Sequence, residues 1–310
     1  MFKITEIQCE YRNDPIGLGC ASPRLMWKLS SDRAAQTAYR VIVCSTRAAA
    51  LQGKGDLWDS GVVFSPAAFY AEYAGKKLAS RAQCWWRVTV YSGEECAESD
   101  IGYFEIGLLR GEDWKGTWTA MPAQSSGATM LLRREFELPS AAVGARVYVC
   151  GIGFHELFVN GKKAGDALLN PSLTDFSRRV PCCAYDVTSA VRAGKNVLGL
   201  EVAHGWNGAK QALVQAYFEC ENGEEKEIHS SVNGGGYGAA GPTVETSIYD
   251  GEIYDARLED SVPRNWASAE YDAAPEKGWM PAVYNPGPAG KIEMQSVEPE
   301  RALRTYKPRA

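Results

Sequence analysis

The sequence predicts an all-β protein made of two β-sandwiches in tandem, and three observations carry that prediction. First, apolar residues recur at every second position in several short runs: Tyr39, Val41 and Val43; Trp86, Val88 and Val90; Val147 and Val149; Leu157 and Val159. A period of two places one set of side chains on a core and the other in or near water, as strands do and helices do not. Second, the runs are separated by turn chemistry, with Gly17 and Gly19, Gly53 to Gly55, Gly75, Gly93 and the pair Asn160-Gly161 between them. Third, helical periodicity is nearly absent. Many short strands at such spacing read as a sandwich or a barrel.

Taken in order, residues 1–110 form the first predicted unit. About a hundred residues with strand-borne tryptophans suit an immunoglobulin or fibronectin type III-like sandwich. Trp58, Trp85 and Tyr91 are candidates to stack on a sugar ring, but large aromatics more commonly close a core edge or an interface, and that is how they are read here. The stretch LLRGEDWKGTWTAM from Leu108 to Met121 marks the boundary. The second unit, 111–260, opens with the loop PAQSSGAT and the strand-like MLLRREFEL. Its centre is Ala145 to Thr188. There Asn160-Gly161 supplies the positive φ angles of a type I′ turn, so Lys162 to Leu168 is predicted to return alongside Leu157–Val159. A further strand is expected over Val180 to Val187, then one helical turn over Ser189 to Ala193 capped by Thr188 or Ser189. The remainder, 261–310, is rich in Pro and Gly, notably YNPGPAG, and reads as an exit segment with one or two strands.

The 310 residues are enough for two domains that each bury a core. With 33 basic and 38 acidic residues the formal charge is −5, and no long basic run occurs, which argues against a nucleic-acid surface. The start, MFKITEIQCEYRNDP, lacks the apolar run of a signal peptide, and no stretch approaches a membrane span, so the chain is expected to be cytoplasmic and without a membrane partner. Nine cysteines without a Cys-x-x-Cys pair read as buried thiols in a reducing compartment. Adjacent Cys182 and Cys183 would point to opposite faces of a strand.

Chemistry-bearing motifs are few. Gly236 to Gly241 has the spacing G-x-G-x-x-G, but Pro242 and the strand-like TVETSIYD follow it instead of a helix, so a dinucleotide site is rejected and a mobile surface loop is expected. A glycosidase needs two carboxyls about 5 to 5.5 Å apart for retention or roughly 6.5 to 9.5 Å apart for inversion. In DGEIYD the strand period puts Glu252 and Asp255 on opposite faces, while Asp250 and Glu252 share one without a closed pocket. His155, His204 and His229 lack metal-ligand spacing, and no Gly-x-Ser-x-Gly elbow is present.

The succession of a Gly-x-Gly-aromatic strand, LFVNGKKAGD, LLNPSLTDFSRRV, AYDVT, GKNVLGL and HGW resembles the N-terminal region of bacterial α-L-rhamnosidases of glycoside hydrolase family 78. The likeness continues at GEIYDAR and reaches back to ASPRLMWKLSS, QTAYRVIV, DLWDSG and CWWRVTVYS, so it covers practically the whole chain. It implies that 111–260 is a jelly-roll sandwich, and that hydrolysis belongs to a catalytic (α/α)6 barrel of the same enzyme, of whose acidic motifs this chain has no counterpart. Some jelly-roll modules of the family bind L-rhamnose through calcium. By that resemblance Asp166, Asn170, Trp206, Asn207, Glu252, Tyr254, Asp255 and Arg257 are candidate sugar-binding residues, and Asp166 is a candidate calcium ligand. An aromatic ring suits the apolar face of a sugar, and carboxylates and amides suit its hydroxyls, with calcium able to bridge the two. The chain departs from the family pattern at His204, Asn207 and Ala167, the last removing the amide that would follow Asp166. Each candidate also has an ordinary reading: Asn170-Pro171 as a turn former, Asp255 and Arg257 as an ion pair on one strand face. Three functions follow for test: an accessory, non-catalytic part of a rhamnosidase, a lectin-like module for L-rhamnose-containing glycosides, and a self-sufficient hydrolase.

Overall fold

A computed structural model describes residues 2–30, 35–67, 70–121, 128–206, 210–231 and 236–308. The regular structure is almost all strand, and the chain forms two compact units, Met1–Asp113 and Trp114–Ala310.

In the first unit a three-stranded sheet (Lys3–Cys9, Arg24–Ser30, Ala71–Glu72) faces a six-stranded sheet built around Ala38–Cys44 and Gln83–Ser92. The two long strands pair antiparallel from Ala38 opposite Tyr91 to Cys44 opposite Trp85. The predicted alternation is visible in the core, where Leu25 and Trp27 meet Val41, Val43, Trp86 and Val88. Buried Trp27 keeps its indole N–H satisfied by donating to Gln36 Oε1 at 2.8 Å. The aromatics Trp58 and Trp85 are half-buried against Tyr73 and Tyr103. One element escaped the sequence reading: Arg47–Leu51 is a five-residue helix whose N-cap, Thr46, accepts from Ala49 N at 3.1 Å.

The second unit packs a seven-stranded sheet against a six-stranded one. The first is centred on Ala142–Ile152, paired with Gln211–Cys220 and Arg179–Asp186. The second runs Lys162–Lys163, Phe154–Val159, Gly194–Ala203, Met130–Leu138, Gly236–Ala240, Met280–Pro281. Their inner faces meet through Leu132, Phe136, Val147, Val149, Leu157, Leu200 and Phe218. Asn160 (φ 50°) and Gly161 (φ 82°) make the two-residue turn expected of them, with Val159 opposite Lys162. Cys183 faces the core while Cys182 lies beside Cys150, and every cysteine except Cys20 and exposed Cys96 is buried.

Several expectations are corrected. The strand returning from the turn is only Lys162–Lys163, because Gly165 (φ 75°) takes the chain off the ladder before Leu168. The helical turn is a 3₁₀ turn at Thr188–Ala190 that follows Val187; the Thr188 hydroxyl does not cap it, but accepts from Ala145 N and donates to Asp186 Oδ1. Gly236–Ala240, expected as a mobile loop, is a strand paired with Met130–Arg134.

The largest difference concerns the last fifty residues, predicted as an exit segment with one or two strands. They contribute three short strands, Met280–Pro281, Val283–Tyr284 and Lys291–Met294, and they cover the outer face of the six-stranded sheet. Val262, Trp266, Tyr271 and Trp279 form a second core there with Leu131 and Ala239. Gly199 makes the contact possible: a Cβ at that position would stand 2.6 Å from Ala267 Cβ and 2.9 Å from the Trp266 ring. Arg133, 3 % exposed, fastens the segment by donating to the carbonyls of Trp266, Ser268 and Tyr271 at 3.0, 3.0 and 2.8 Å.

Candidate functional site

Strand pairing alone creates an acidic spot on the outer face of the six-stranded sheet. Leu157 and Val159 point into the core, as do Leu200 and Val202, so Glu156 and Glu201, which stand opposite each other, point out. Like charges directly opposite destabilise a pair of strands, and Glu156 is relieved by an ion pair with Lys163. Glu201 has no hydrogen bond or ion pair among the described residues. Burial, and then the charges of Glu156 and Glu252, push its carboxyl from 4.5 up to about 7.

Glu252 arrives on an antiparallel hairpin, Thr243–Ser247 with Gly251–Tyr254, in which it stands opposite Thr246. The turn of this hairpin carries Tyr249, whose ring meets Trp206 edge-to-face at 5.8 Å and 80°. Trp206 is 45 % exposed and Tyr249 is 83 % exposed, so both rings keep faces open to water. Of the residues proposed from the sequence, the structure thus gathers Trp206 and Glu252 around one hairpin and adds Glu201, Glu156 and Tyr249 to them.

The other candidates are placed elsewhere or already engaged. Asp166 is exposed and accepts from Arg301 Nε at 2.9 Å, a hydrogen bond that holds its carboxyl below the usual range. Asn170 is buried, with its Nδ2 donating to the Tyr185 hydroxyl, which also lies 3.0 Å from His155 Nε2. Burial lowers the pKa of His155 to about 3, so the imidazole is neutral. The ordinary reading of Asn170-Pro171 as a turn former therefore misses this buried polar network. Asp255 and Arg257 do form an ion pair, though not on a strand: Asp255 caps the 3₁₀ turn Ala256–Asp260, and the Arg257 guanidinium holds its carboxyl down at about 2. Tyr254 is bonded through its hydroxyl to Glu259. Asp250 lies in the hairpin turn and not on the strand with Glu252. Asn207 falls outside the described residues.

A calcium ion needs six to eight oxygen ligands. Asp166 offers one carboxylate, already held by a guanidinium, and its neighbour Ala167 offers none, so this donor set does not fit calcium. Among the described residues no group of three or more His, Cys, Asp or Glu side chains could hold a metal ion.

Sequence reasoning missed Glu201, although a signal was present. It is the single charged residue in the apolar run VLGLEVA, and a carboxylate in such a run must either find a cation or be held neutral. Its stability contribution has a defined sign. The folded pKa lies above the unfolded value, so the contribution is fully present below about pH 4.5 and is lost as pH rises through about 7. Glu201→Gln is therefore expected to leave thermal stability unchanged at pH 4 and to raise it at pH 8 by about 1–3 kcal/mol. Unfolding curves at the two pH values check this, and equal effects at both would show that folding does not shift the Glu201 pKa.

Chemically, this spot brings open aromatic faces near carboxyl groups, one of which, Glu201, has its pKa raised to about 7. A carboxylate accepts hydrogen bonds from sugar hydroxyls, a protonated carboxyl donates one, and a ring covers an apolar sugar face. No helix among the described residues is long and apolar enough to cross a membrane.

Comparison with known proteins agrees with the architecture. Residues 140–304 match the family described as Alpha-L-rhamnosidase N-terminal domain, and residues 4–110 match Rha78A-like, N-terminal immunoglobulin domain. An α-L-rhamnosidase of Formosa agariphila is 30 % identical over 294 residues, covering 86 % of this chain and 31 % of that protein. One from Alteromonas sp. (strain LOR) is 32 % identical over 318 residues, covering 94 % of this chain and 33 % of that protein. The solved α-L-rhamnosidase of Dictyoglumus thermophilum superposes with a TM-score of 0.86 at 29 % identity, covering 94 % of this chain and 35 % of that one. The chain spans about a third of the length of the curated relatives it matches. With more than half of its length matched by one family and most of the rest by the immunoglobulin-like module, the chain belongs to the α-L-rhamnosidase N-terminal domain family.

Proposed function

We propose that the chain is the non-catalytic N-terminal part of an α-L-rhamnosidase, in which its two sandwiches support a catalytic (α/α)6 barrel and the second one holds L-rhamnose-containing glycosides. The observation that carries the sugar-binding half is the open aromatic pair of Trp206 and Tyr249, the latter on the hairpin that also brings Glu252 toward Glu201. The accessory half is supported by family membership and by the share of its relatives that the chain spans. A stand-alone lectin-like role would use the same spot. Cytoplasmic residence belongs to this reading, supported by nine cysteines that are all free thiols.

Binding is expected to be modest. An exposed site on a sandwich covers only part of a monosaccharide, which limits the contact each atom makes, so a Kd of roughly 0.1 to 10 mM is expected. Titration calorimetry with L-rhamnose, in calcium and then in a chelator, tests the proposal. The expected result is saturable heat that persists in the chelator and is lost in Trp206→Ala, with Glu252→Gln several-fold weaker. Heat that needs calcium would return the site to Asp166. No heat at high millimolar sugar would leave the scaffold role alone.

A further inference from the structure

On the loop after Asp166, Leu168, Leu169 and Leu173 all face water, Leu173 with 64 % of its surface exposed. The segment that follows the strand Lys291–Met294 runs beside them: Leu168 N donates to Glu300 O at 2.8 Å, and Ser172 N donates to Gln295 Oε1 at 3.0 Å. It adds exposed Val297, then Leu303 at 94 % and Tyr306 at 77 %. Single apolar residues scattered over a surface need no explanation, but a cluster drawn together from two segments marks an interaction surface.

The loop holds its leucines outward. From behind it is fixed by buried Asn170, whose carbonyl accepts from His155 N at 2.6 Å and whose Nδ2 donates to the Tyr185 hydroxyl at 3.0 Å. Leu169 stands at φ 51°, a left-handed conformation that bulky residues seldom adopt. In front, the Arg301 guanidinium clasps the two segments by donating to Asp166 at 2.9 Å and to Glu298 at 2.8 Å. Beyond that clasp, residues 301–308 make no backbone hydrogen bond among the described residues. Their open donors and acceptors, beside exposed Leu303 and Tyr306, are met by water or by a partner. An apolar centre with Asp166, Glu298 and Arg301 beside it has the composition of an interface core and its polar rim.

We propose that this surface docks the portion of the enzyme that follows residue 310, which covers Leu168, Leu169, Leu173 and Val297 and takes up Leu303 and Tyr306. The proposal rests on the reading of the chain as the N-terminal part of an α-L-rhamnosidase. Two observations favour this occupant over a second copy of the chain or a separate protein. The chain spans only 31 % and 33 % of two matched relatives, so on that reading most of the enzyme joins it at residue 310. The segment leading to that junction lies on this very surface. A domain tethered there meets the surface at high effective concentration, without the entropy loss of a separate encounter, so a modest apolar patch suffices.

Thiol footprinting of the intact enzyme against residues 1–310 tests the assignment. Leu173→Cys and Leu303→Cys are made singly, with exposed Val143→Cys at the start of Ala142–Ile152 as the control, and maleimide labelling is read peptide by peptide by mass spectrometry. In residues 1–310 all three positions are expected to label rapidly. In the intact enzyme labelling at 173 and 303 is expected to slow at least about tenfold, while labelling at 143 is unchanged. As a second readout, Leu173→Asp is expected to leave the Tm of residues 1–310 unchanged, since that side chain is exposed, and to lower the Tm of the intact enzyme. Equal labelling in the two proteins, or an unchanged Tm of the intact enzyme, would overturn the proposal and leave the accessory reading standing. A stop codon directly after residue 310 would overturn that reading and the proposal with it. A dimer of residues 1–310 that Leu173→Asp dissolves would assign the surface to a second copy instead.

Discussion

Trp279→Ala is expected to destabilise the second unit by about 3–5 kcal/mol, the range for deleting a large buried aromatic. Trp279 is fully buried, packs its ring 6.0 Å from Trp266 and 6.1 Å from Tyr271, and donates its indole N–H to the Tyr271 hydroxyl at 2.9 Å. That hydroxyl in turn donates to Ser261 O at 2.7 Å. Truncation removes the ring contacts and one end of this chain of hydrogen bonds together. For a unit of this size the loss corresponds to a fall in Tm of roughly 10 °C, measurable by calorimetry on the whole chain. A change under about 1 kcal/mol would mean that the segment after residue 260 contributes little to the fold.

Arg133→Met is expected to cost about 2–4 kcal/mol, through a different mechanism. The methionine fills much of the volume, yet the carbonyls of Trp266, Ser268 and Tyr271 lose their donor. Glu135 keeps Lys195 at 2.9 Å, so the acid itself is not stranded. The loss therefore falls on the segment, and limited proteolysis should cut first between residues 261 and 283. Because Arg133 and Trp279 act on the same segment, their effects are expected to be less than additive, with a coupling of about 1 kcal/mol or more in a double-mutant cycle. Full additivity, or cutting elsewhere first, would contradict the clamp.

These two residues also mark where the sequence stops being legible. Strands such as Ala38–Cys44 and Phe154–Val159 were readable because a sheet with one face on a core writes a period of two into the chain. The Asn160-Gly161 turn was readable because few residue pairs take two positive φ angles in succession. Val262, Trp266, Tyr271 and Trp279 follow no period, since they plug onto a sheet face already built by other strands from an irregular path. The donors that satisfy that path come from Arg133, more than 130 positions earlier, where local pattern carries no trace of it.

The candidate site divides in the same way. Trp206 and Glu252 were identifiable by resemblance and by residue type, and the hairpin places them in one region. Tyr249 was not, because its value lies in meeting Trp206 across the turn. Glu201 was not, because its raised pKa depends on Glu156 opposite and Glu252 from the hairpin, both far away in sequence. Asp166 shows the converse: resemblance singled it out, but the Arg301 guanidinium that engages it comes from the far end of the chain.

The most direct test of the accessory, non-catalytic role is an assay of the purified chain on an aryl α-L-rhamnoside. Among the described carboxyls Glu201, with its pKa raised to about 7, best suits a general acid, but it lies on the outer face of the sheet without a partner placed across a bound sugar. No turnover above buffer is expected between pH 4 and 8, for the chain and for its Glu201→Gln and Glu252→Gln variants alike. Turnover that survives purification and disappears in either variant would contradict the account and make this spot a catalytic site.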